Sequence, residues 1–140
     1  GIMEKIFVKE EDIPSYKELI KDAFDIECNT SLLKNSLEEE NVRVLAFKED
    51  DTIVASVMIT VNVDPVKGLK TFFLDYVSVL SIYRGKGLGK MLIDLVISLA
   101  KKESANFVML TSSLKRCGAR KIYFDKGFKI KDTDLFYKEI

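Results

Sequence analysis

The chain has 140 residues, the length of one ordinary domain, and 47% of them are hydrophobic. Basic and acidic residues number 22 each, so no overall field would draw the chain to nucleic acid or to an acidic membrane. We expect no membrane span, no signal peptide and a cytoplasmic protein. Histidine is absent, which excludes serine–histidine and cysteine–histidine nucleophiles and leaves no plausible zinc site.

The first half of the chain predicts three strands and two helices. Short apolar runs next to charged or turn residues favour strands, which we place at residues 5–9, 42–47 and 53–61. Asp12 and Pro14 have the spacing of a helix cap and first turn, and apolar residues then recur with helical spacing at Tyr16, Leu19, Ile20, Ala23 and Phe24. Thr30 or Ser31 is expected to cap a second helix that extends to Glu40.

The second half predicts four strands and two helices. The strands are expected at residues 72–80, 107–110, 128–130 and 135–139, the last two forming a hairpin. Apolar spacing predicts a helix over 87–103, and Gly127 is expected to end another helix at 118–126. The fold class is therefore α/β, with the order β-α-α-β-β-β-α-β-α-β-β. A right-handed crossover joins the strands at 72–80 and 107–110.

A glycine-rich turn with three positive charges precedes the helix at 87–103. Its residues are Arg84, Gly85, Lys86, Gly87, Leu88, Gly89 and Lys90. The glycines let the backbone turn tightly and approach a ligand, and the following helix start favours an anion. The spacing fits neither a Walker loop nor a dinucleotide fingerprint. It predicts a pyrophosphate cradle, with a plain structural turn as the alternative.

The pattern Arg-x-x-Gly-x-Gly after a strand resembles the acetyl-CoA loop of the GNAT superfamily of N-acetyltransferases. Ala119, Tyr123 and Gly127-Phe128 form a second stretch with the family's spacing. The resemblance implies one acetyltransferase domain over residues 1–140, with a mixed, largely antiparallel sheet around a central parallel strand pair. It also implies acetyl-CoA as donor, no metal, and donor contacts from the glycine-rich turn and from Val77, Ser78, Val79, Ser112 and Arg116.

Arg116 departs from the family pattern, because many relatives have asparagine at this position. Its guanidinium could bind the CoA phosphates or an anionic acceptor, or it could be a solvated loop charge. The neighbouring Cys117 lies at a predicted helix start, which favours a thiolate. No histidine can activate that thiolate, so we interpret Cys117 as structural.

Two residues are candidates for proton transfer. In the family, a tyrosine at the position of Tyr123 protonates the departing CoA thiolate; the alternative is a packed helix tyrosine. Asp75 is the only charged residue between Thr71 and Leu80, where relatives often have a glutamate that accepts the proton of the acceptor amine. Asp75 would act through water, or else it forms a structural ion pair with a neighbouring strand.

The resemblance implies direct attack of an amine on acetyl-CoA within a ternary complex. A catalytically idle CoA-binding module and an enzyme for larger acyl groups are the alternatives. The acceptor is a small-molecule amine or a peptide N-terminus or lysine, and Phe24, Ile26 and Cys28 would contact it or simply pack in the core. We expect no nucleic acid or membrane partner, and a homodimer through the late strands is possible.

Overall fold

A computed structural model of the chain describes residues 1–113 and 117–140. The strands are β1 (Met3–Phe7), β2 (Val42–Glu49), β3 (Thr52–Asp64), β4 (Leu69–Val79) and β5 (Phe107–Leu110). The helices are α1 (Ile13–Phe24), α2 (Thr30–Leu37), α3 (Leu88–Lys102) and α4 (Cys117–Asp125). The strands form one sheet in the order β1-β2-β3-β4-β5, and only the β4–β5 pair is parallel among the described strands. This mixed sheet confirms the predicted fold class.

Helices cover both faces of the sheet. On one face, the apolar stripe of α1 packs with Leu33 of α2 against Val44, Ala46 and Ile53. On the other, the buried side of α3 packs against apolar residues of β2, β3 and β4, and α4 adds Ile122 and Tyr123 at the margin. The predicted apolar spacing thus identifies the buried sides of α1 and α3. Within the described residues, no helix combines the length and the apolar character that crossing a membrane requires.

Two predicted helix caps are replaced by other interactions. Asp12 precedes α1 but makes no side-chain cap; its carboxylate accepts from the backbone N–H of Lys9 at 3.0 Å and from Nζ of Lys48 at 2.7 Å. The cap of α2 is Asn29, whose Oδ1 accepts from the backbone N–H of Leu32 at 3.0 Å. The amide one position earlier is better placed to satisfy a free N–H of the first turn.

The predicted hairpin at 128–130 and 135–139 does not form. Residues 128–140 are described, and none of them pairs as a strand. Their side chains are largely exposed, including Leu135 at 75% and Phe136 at 92%. The local sequence favours strands, but two strands without an apolar surface to cover are marginal in water. All other predicted strands and helices are present, with shifts of a few residues at their ends.

Candidate active site

The site lies where β4 and β5 separate. The two strands pair in parallel only from Thr71–Phe107 to Leu74–Leu110, after which β5 ends while β4 continues to Val79. A cavity of about 310 Å³ occupies the gap. Its lining residues come from α1, β4, the end of β5, the segment that follows β5, and α4: Phe24, Leu74, Asp75, Tyr76, Val77, Leu110, Thr111, Ser112, Ser113 and Tyr123. A gap at the carboxyl ends of parallel strands is where open α/β sheets bind ligands.

A bulge in β4 forms one wall of the cavity. Ser56 of β3 pairs with Ser78, but Met58 pairs with Asp75, so β4 has one residue more than β3 across this interval. Tyr76 absorbs the extra residue with a φ of 49°, a left-handed conformation that costs a non-glycine residue roughly 1–2 kcal/mol. The bulge changes the direction of the backbone beside the cavity. Strain of this kind in a cavity wall is typical of functional sites.

Asp75 lines the cavity without an ionic partner. Among the described residues, its carboxylate makes no hydrogen bond or ion pair, so the alternative of a structural pair with a neighbouring strand is not realised there. Asp75 also lines a second depression of about 590 Å³. This depression lies on the α1 face of the sheet, and its other walls are Thr60, Asn62, Asp64, Lys67, Leu69, Thr71, Phe73, Phe107, Met109 and Lys131. A carboxylate shared by two depressions can contact ligands that enter from either side.

Tyr123 reaches the same cavity from α4. Its ring packs at 5.8 Å from the ring of Phe128, centroid to centroid, and against the apolar cluster on the α3 face. The backbone N–H of Phe128 donates to the carbonyl of Tyr123 at 3.0 Å, which closes the end of α4. The spacing of Tyr123 and Phe128 that resembles the family therefore corresponds to the end of α4, where packing between the two residues orients the tyrosine ring.

Ser112 contributes an unused hydroxyl to the cavity. Its Oγ is buried and has no hydrogen-bond partner among the described residues. A buried hydroxyl without a partner is unfavourable, so a ligand group that bonds to it would remove that cost. Arg116, the other predicted donor contact after β5, lies outside the described residues.

The glycine-rich turn forms the start of α3. Gly85 and Gly87 have φ of 79° and 81°, and a Cβ built on either would meet no atom within 4 Å. Gly87 is the cap of α3 and makes no side-chain cap bond, so the N–H groups of the first turn stay available to an anion. Leu88 is 6% exposed and anchors the turn in the core, whereas Lys86 and Lys90 are exposed.

Several contacts that the sequence did not predict hold the turn in place. Arg84 donates through Nε to the carbonyl of Val79 at 3.3 Å. Asp22 of α1 accepts from the backbone N–H and the hydroxyl of Ser81, each at 2.9 Å, and the backbone bond lowers the pKa of that carboxyl. Tyr83 donates to Glu49 at 2.6 Å, which raises the pKa of the phenol. Asp22 and Ser81 are 59 positions apart and Tyr83 and Glu49 are 34 apart, so no local pattern could reveal these two pairs.

The predicted acceptor residues occupy different positions. Phe24 lines the cavity and meets the ring of Tyr76 edge-on at 5.4 Å. Ile26 is 41% exposed and Cys28 packs against the α1-face core, where burial raises the pKa of its thiol; neither lines the two depressions. Of the predicted donor contacts, Val77 lines the cavity, whereas the Ser78 side chain is buried beside that of Ser56.

Comparisons with known proteins agree with this architecture. The model of the GNAT acetyltransferase family matches residues 6–128. The uncharacterized N-acetyltransferase YhdJ of Bacillus subtilis (strain 168) is 33% identical over 141 residues, which cover 99% of this chain and 98% of that protein.

Solved structures show the same fold. A ribosomal-protein-alanine N-acetyltransferase from Brucella melitensis biovar Abortus 2308 superposes with a TM-score of 0.81 at 20% identity, covering 99% of this chain and all of that one. An aminoglycoside N-acetyltransferase in complex with CoA superposes with a TM-score of 0.83 at 17% identity, covering 99% and 95% of the two chains. With the family match and the YhdJ similarity, we conclude that the chain belongs to the GNAT family and is an N-acetyltransferase.

Proposed function

We propose that the enzyme transfers an acetyl group from acetyl-CoA to an amine that attacks directly within a ternary complex. The observation that supports this most strongly is the separation of β4 and β5, because Asp75 and Tyr123 then line one cavity from two different elements. One residue can accept a proton and the other can donate one. Direct transfer needs both groups near the same reacting atoms.

The residues around the cavity fit acetyl-CoA, which supplies an acetyl group activated as a thioester. The start of α3 offers free backbone N–H groups and the positive end of a helix to the pyrophosphate, with Arg84, Lys86 and Lys90 adding charge. The gap beyond Leu74 leaves one edge of β4 unpaired toward β5. The pantetheine arm, which contains two amides, can pair there like an added strand. The unpartnered Ser112 hydroxyl is a further donor or acceptor for that arm.

Asp75 is proposed to remove the proton of the acceptor amine. Amines are mostly protonated near neutral pH and cannot attack until that proton leaves. The Asp75 carboxylate has no ionic partner among the described residues, so it is available to accept it. Aspartate is one methylene shorter than the family's glutamate, which favours a bridging water between carboxylate and amine.

Tyr123 is proposed to donate a proton to the sulfur as the CoA thiolate leaves. At neutral pH a phenol is protonated and can act as a general acid. Negative charge also develops on the acetyl carbonyl oxygen, and a backbone N–H beside the bulge at Tyr76 would stabilise it. The strained backbone at this residue is consistent with such preorganisation.

The acceptor is proposed to approach Asp75 past the aromatic pair of Phe24 and Tyr76. Ile26 and Cys28 follow Phe24 in the connection to α2 and would contact the part of the acceptor that extends beyond the cavity. The solved relatives include enzymes named for ribosomal-protein alanine and for aminoglycosides. Both a peptide N-terminus and a small-molecule amine are therefore acceptors to test, and a cytoplasmic location stays a prediction.

The test is a CoA-release assay with an amine library that contains polyamines, amino sugars, aminoglycosides, amino acids and peptides with free N-termini. We expect turnover of at least one amine class with acetyl-CoA, and less with longer acyl-CoAs. Calorimetry with CoA runs in parallel. Tight CoA binding without turnover of any amine would favour the idle CoA-binding module, and faster turnover of a longer acyl-CoA would favour a larger acyl group.

A further inference from the structure

The larger depression extends from Asp75 along the α1 face of the sheet. Phe72 and Leu74 of β4 are buried in the core on the α3 face. Phe73 and Asp75 alternate with them along the strand and line the depression on the opposite face. Among the described residues, none of α1 or α2 lines it. The depression therefore gives an acceptor a second direction in which to extend from Asp75.

The strand register gives the length of the depression. Phe73 pairs with Met109 of β5, and Thr71 pairs with Phe107; all four residues line the depression together with Asp75. At a rise of about 3.3 Å per residue, the two pairs lie about 7 and 13 Å from Asp75 along the strand direction. A molecule with its amine at Asp75 therefore has room for a substituent of that length.

Two lysines bring positive charge to the same depression. Lys131 reaches it from the segment after α4, and Lys67 reaches it from the β3–β4 turn, at the end remote from Asp75. Within the described part of the chain, neither ammonium group has an ion pair or a side-chain hydrogen bond. Both are therefore available to a ligand, and an ammonium group binds carboxylate or phosphate as a point charge.

The turn that carries Lys67 is fixed by local hydrogen bonds. Oδ1 of Asp64 accepts from the backbone N–H groups of Val66 and Lys67 at 2.9 and 3.1 Å. The N–H of Gly68 donates to the carbonyl of Asp64 at 2.8 Å. Asp64 also lines the depression, but its carboxylate is engaged in shaping this turn. The position of Lys67 at the end of the depression is thus held by the backbone.

We propose that this depression binds an anionic group of the acceptor, so that the preferred acceptor is an amine with a carboxylate or phosphate about 7–13 Å from its nitrogen. The proposal rests on the proposed function, because the amine must reach Asp75. Asp75 attracts the protonated amine at one end, and the two lysines attract the anion. Opposite charges at a fixed separation favour such a molecule over a neutral amine.

The remaining wall of the depression fits the part of the acceptor between its two charged groups. Asn62 of β3 pairs with Thr71 of β4, and both line the depression, where they offer neutral hydrogen-bonding groups. Phe73 adds apolar surface. The same arrangement disfavours a polyamine, because its second ammonium group would meet Lys67 or Lys131.

Matched pairs of acceptors test the proposal through kcat/KM with acetyl-CoA. The pairs are 6-aminohexanoate with 6-aminohexanamide, trialanine with its C-terminal amide, and glucosamine 6-phosphate with glucosamine. We expect the anionic member of at least one pair to have a kcat/KM at least tenfold higher, and 1,6-diaminohexane to be the poorest of the six-carbon amines. The first two pairs report on a carboxylate and the third on a phosphate. Equal values within all three pairs would overturn the proposal.

A double variant, Lys67→Gln with Lys131→Gln, assigns the preference to the depression. The ratio of kcat/KM within a pair should fall to near one, through a higher KM for the anionic member. Lys5→Gln with Lys101→Gln is the matched control, since it removes the same charge from exposed residues that line neither depression. A preference that persists in the first double variant, or that both double variants lose equally, would contradict the assignment.

An NMR titration separates this proposal from the reaction itself. The backbone signals of Asn62, Thr71 and Lys131 are followed while 6-aminohexanoate or 6-aminohexanamide is added to the enzyme, alone and with CoA. Tighter binding of the carboxylate, with shifts at these residues, would support the anion site even if no amine were acetylated, and only the proposed function would then fail. Turnover with equal binding of the two compounds would leave the proposed function intact and contradict the anion site.

Discussion

The two edges of β4 differ sharply. Toward β3, the strand is paired from Leu69 to Val79 with only the bulge as an interruption, and Ala55, Ser56 and Ile59 on the opposite strand are buried. Toward β5, pairing stops at Leu74, and a cavity lies where further β4–β5 pairs would otherwise follow. The backbone of β4 is hydrogen-bonded to β3 along one edge and is unpaired toward β5 beyond Leu74 on the other. The strand is therefore held in place on one edge and can bind a ligand on the other. The candidate site thus lies where the β4–β5 pairing ends at Leu74 while β4 continues.

The packing on each side explains why this arrangement is stable. On the closed side, Ser56, Val57 and Ile59 are fully buried, so β3 fixes the position of β4. On the open side, Thr111 and Ser113 are exposed and Ser112 has a hydroxyl without a partner among the described residues. Burial on the closed side offsets the cost of the strained Tyr76. Changes on the open side should therefore affect turnover, and changes in the closed region should affect stability.

The largest effect is expected from Tyr123→Phe, on the open side. This variant keeps the ring and its packing against Phe128 but removes the hydroxyl that we propose as the proton donor. Because the donor acts only as charge develops on sulfur, kcat should fall about ten- to a thousand-fold with little change in acetyl-CoA affinity or Tm. Phe124→Leu, a substitution on the exposed side of the same helix, is the control. Undiminished kcat, with chemistry rate-limiting, would mean that the thiolate takes its proton from solvent.

Asp75→Asn should have the next largest effect. If Asp75 accepts the amine proton through water, kcat/KM for the amine should fall roughly ten- to a hundred-fold, most at low pH, where little free amine exists. Acetyl-CoA affinity should stay the same. Asp94→Asn on α3, whose carboxylate pairs with Lys126 instead of lining the cavity, is the matched control. A uniform loss of stability without a change in the pH–rate profile would identify Asp75 as structural.

A smaller effect is expected where β4 connects to α3. Gly87→Ala adds a methyl group at the proposed pyrophosphate site and should weaken acetyl-CoA binding about tenfold by calorimetry, which corresponds to about 1.4 kcal/mol. Gly68→Ala is the control, because Gly68 also has positive φ and open space around its Cβ but lies in the β3–β4 turn. Both variants should lose similar stability from strain. Equal affinities would exclude a close approach of the ligand to Gly87.

Much of this fold could be predicted because its patterns are local. The apolar spacing of α1 and α3 follows from helical geometry, and the turn from Arg84 to Gly89 combines several signals in six positions. The glycine turn and the spacing around Tyr123 identified the family before any contact was known. The confirmed predictions therefore rest on short-range periodicity and on motifs.

The remaining features depend on contacts between distant residues. Nothing around Tyr76 indicates a positive φ, since tyrosine is an ordinary strand residue and the bulge arises from the register with β3. The end of the β4–β5 ladder is likewise a tertiary property. The hairpin prediction for residues 128–130 and 135–139 was wrong. The residue pattern is typical of strands, but a two-stranded hairpin also needs an apolar surface to pack on, and the local sequence does not provide one.

The smallest effect on turnover is expected from Asp12→Asn, in the turn before α1 and outside the cavity lining. Burial of Asp12 raises the pKa of its carboxyl, but the bonds from Lys48 and from the N–H of Lys9 outweigh burial and hold the pKa below its ordinary 3.8. A lowered pKa stabilises the fold above the ordinary value, and this contribution is lost as the pH falls through the lowered one. Asparagine can still accept from Lys9 but loses the charge that attracts Lys48.

Urea unfolding at pH 7 should therefore show a loss of about 1–2 kcal/mol for Asp12→Asn. The difference from the natural chain should shrink as the pH falls below 3.8, because the natural carboxyl is then protonated too. Asp25→Asn is the control: its pair with Lys21 has a carboxyl side chain that is 90% exposed, and such surface pairs contribute little to stability. Turnover per folded molecule should be unchanged in both. A loss that persists undiminished at low pH would show that Asp12 stabilises the fold through packing, and that its charge has no part in it.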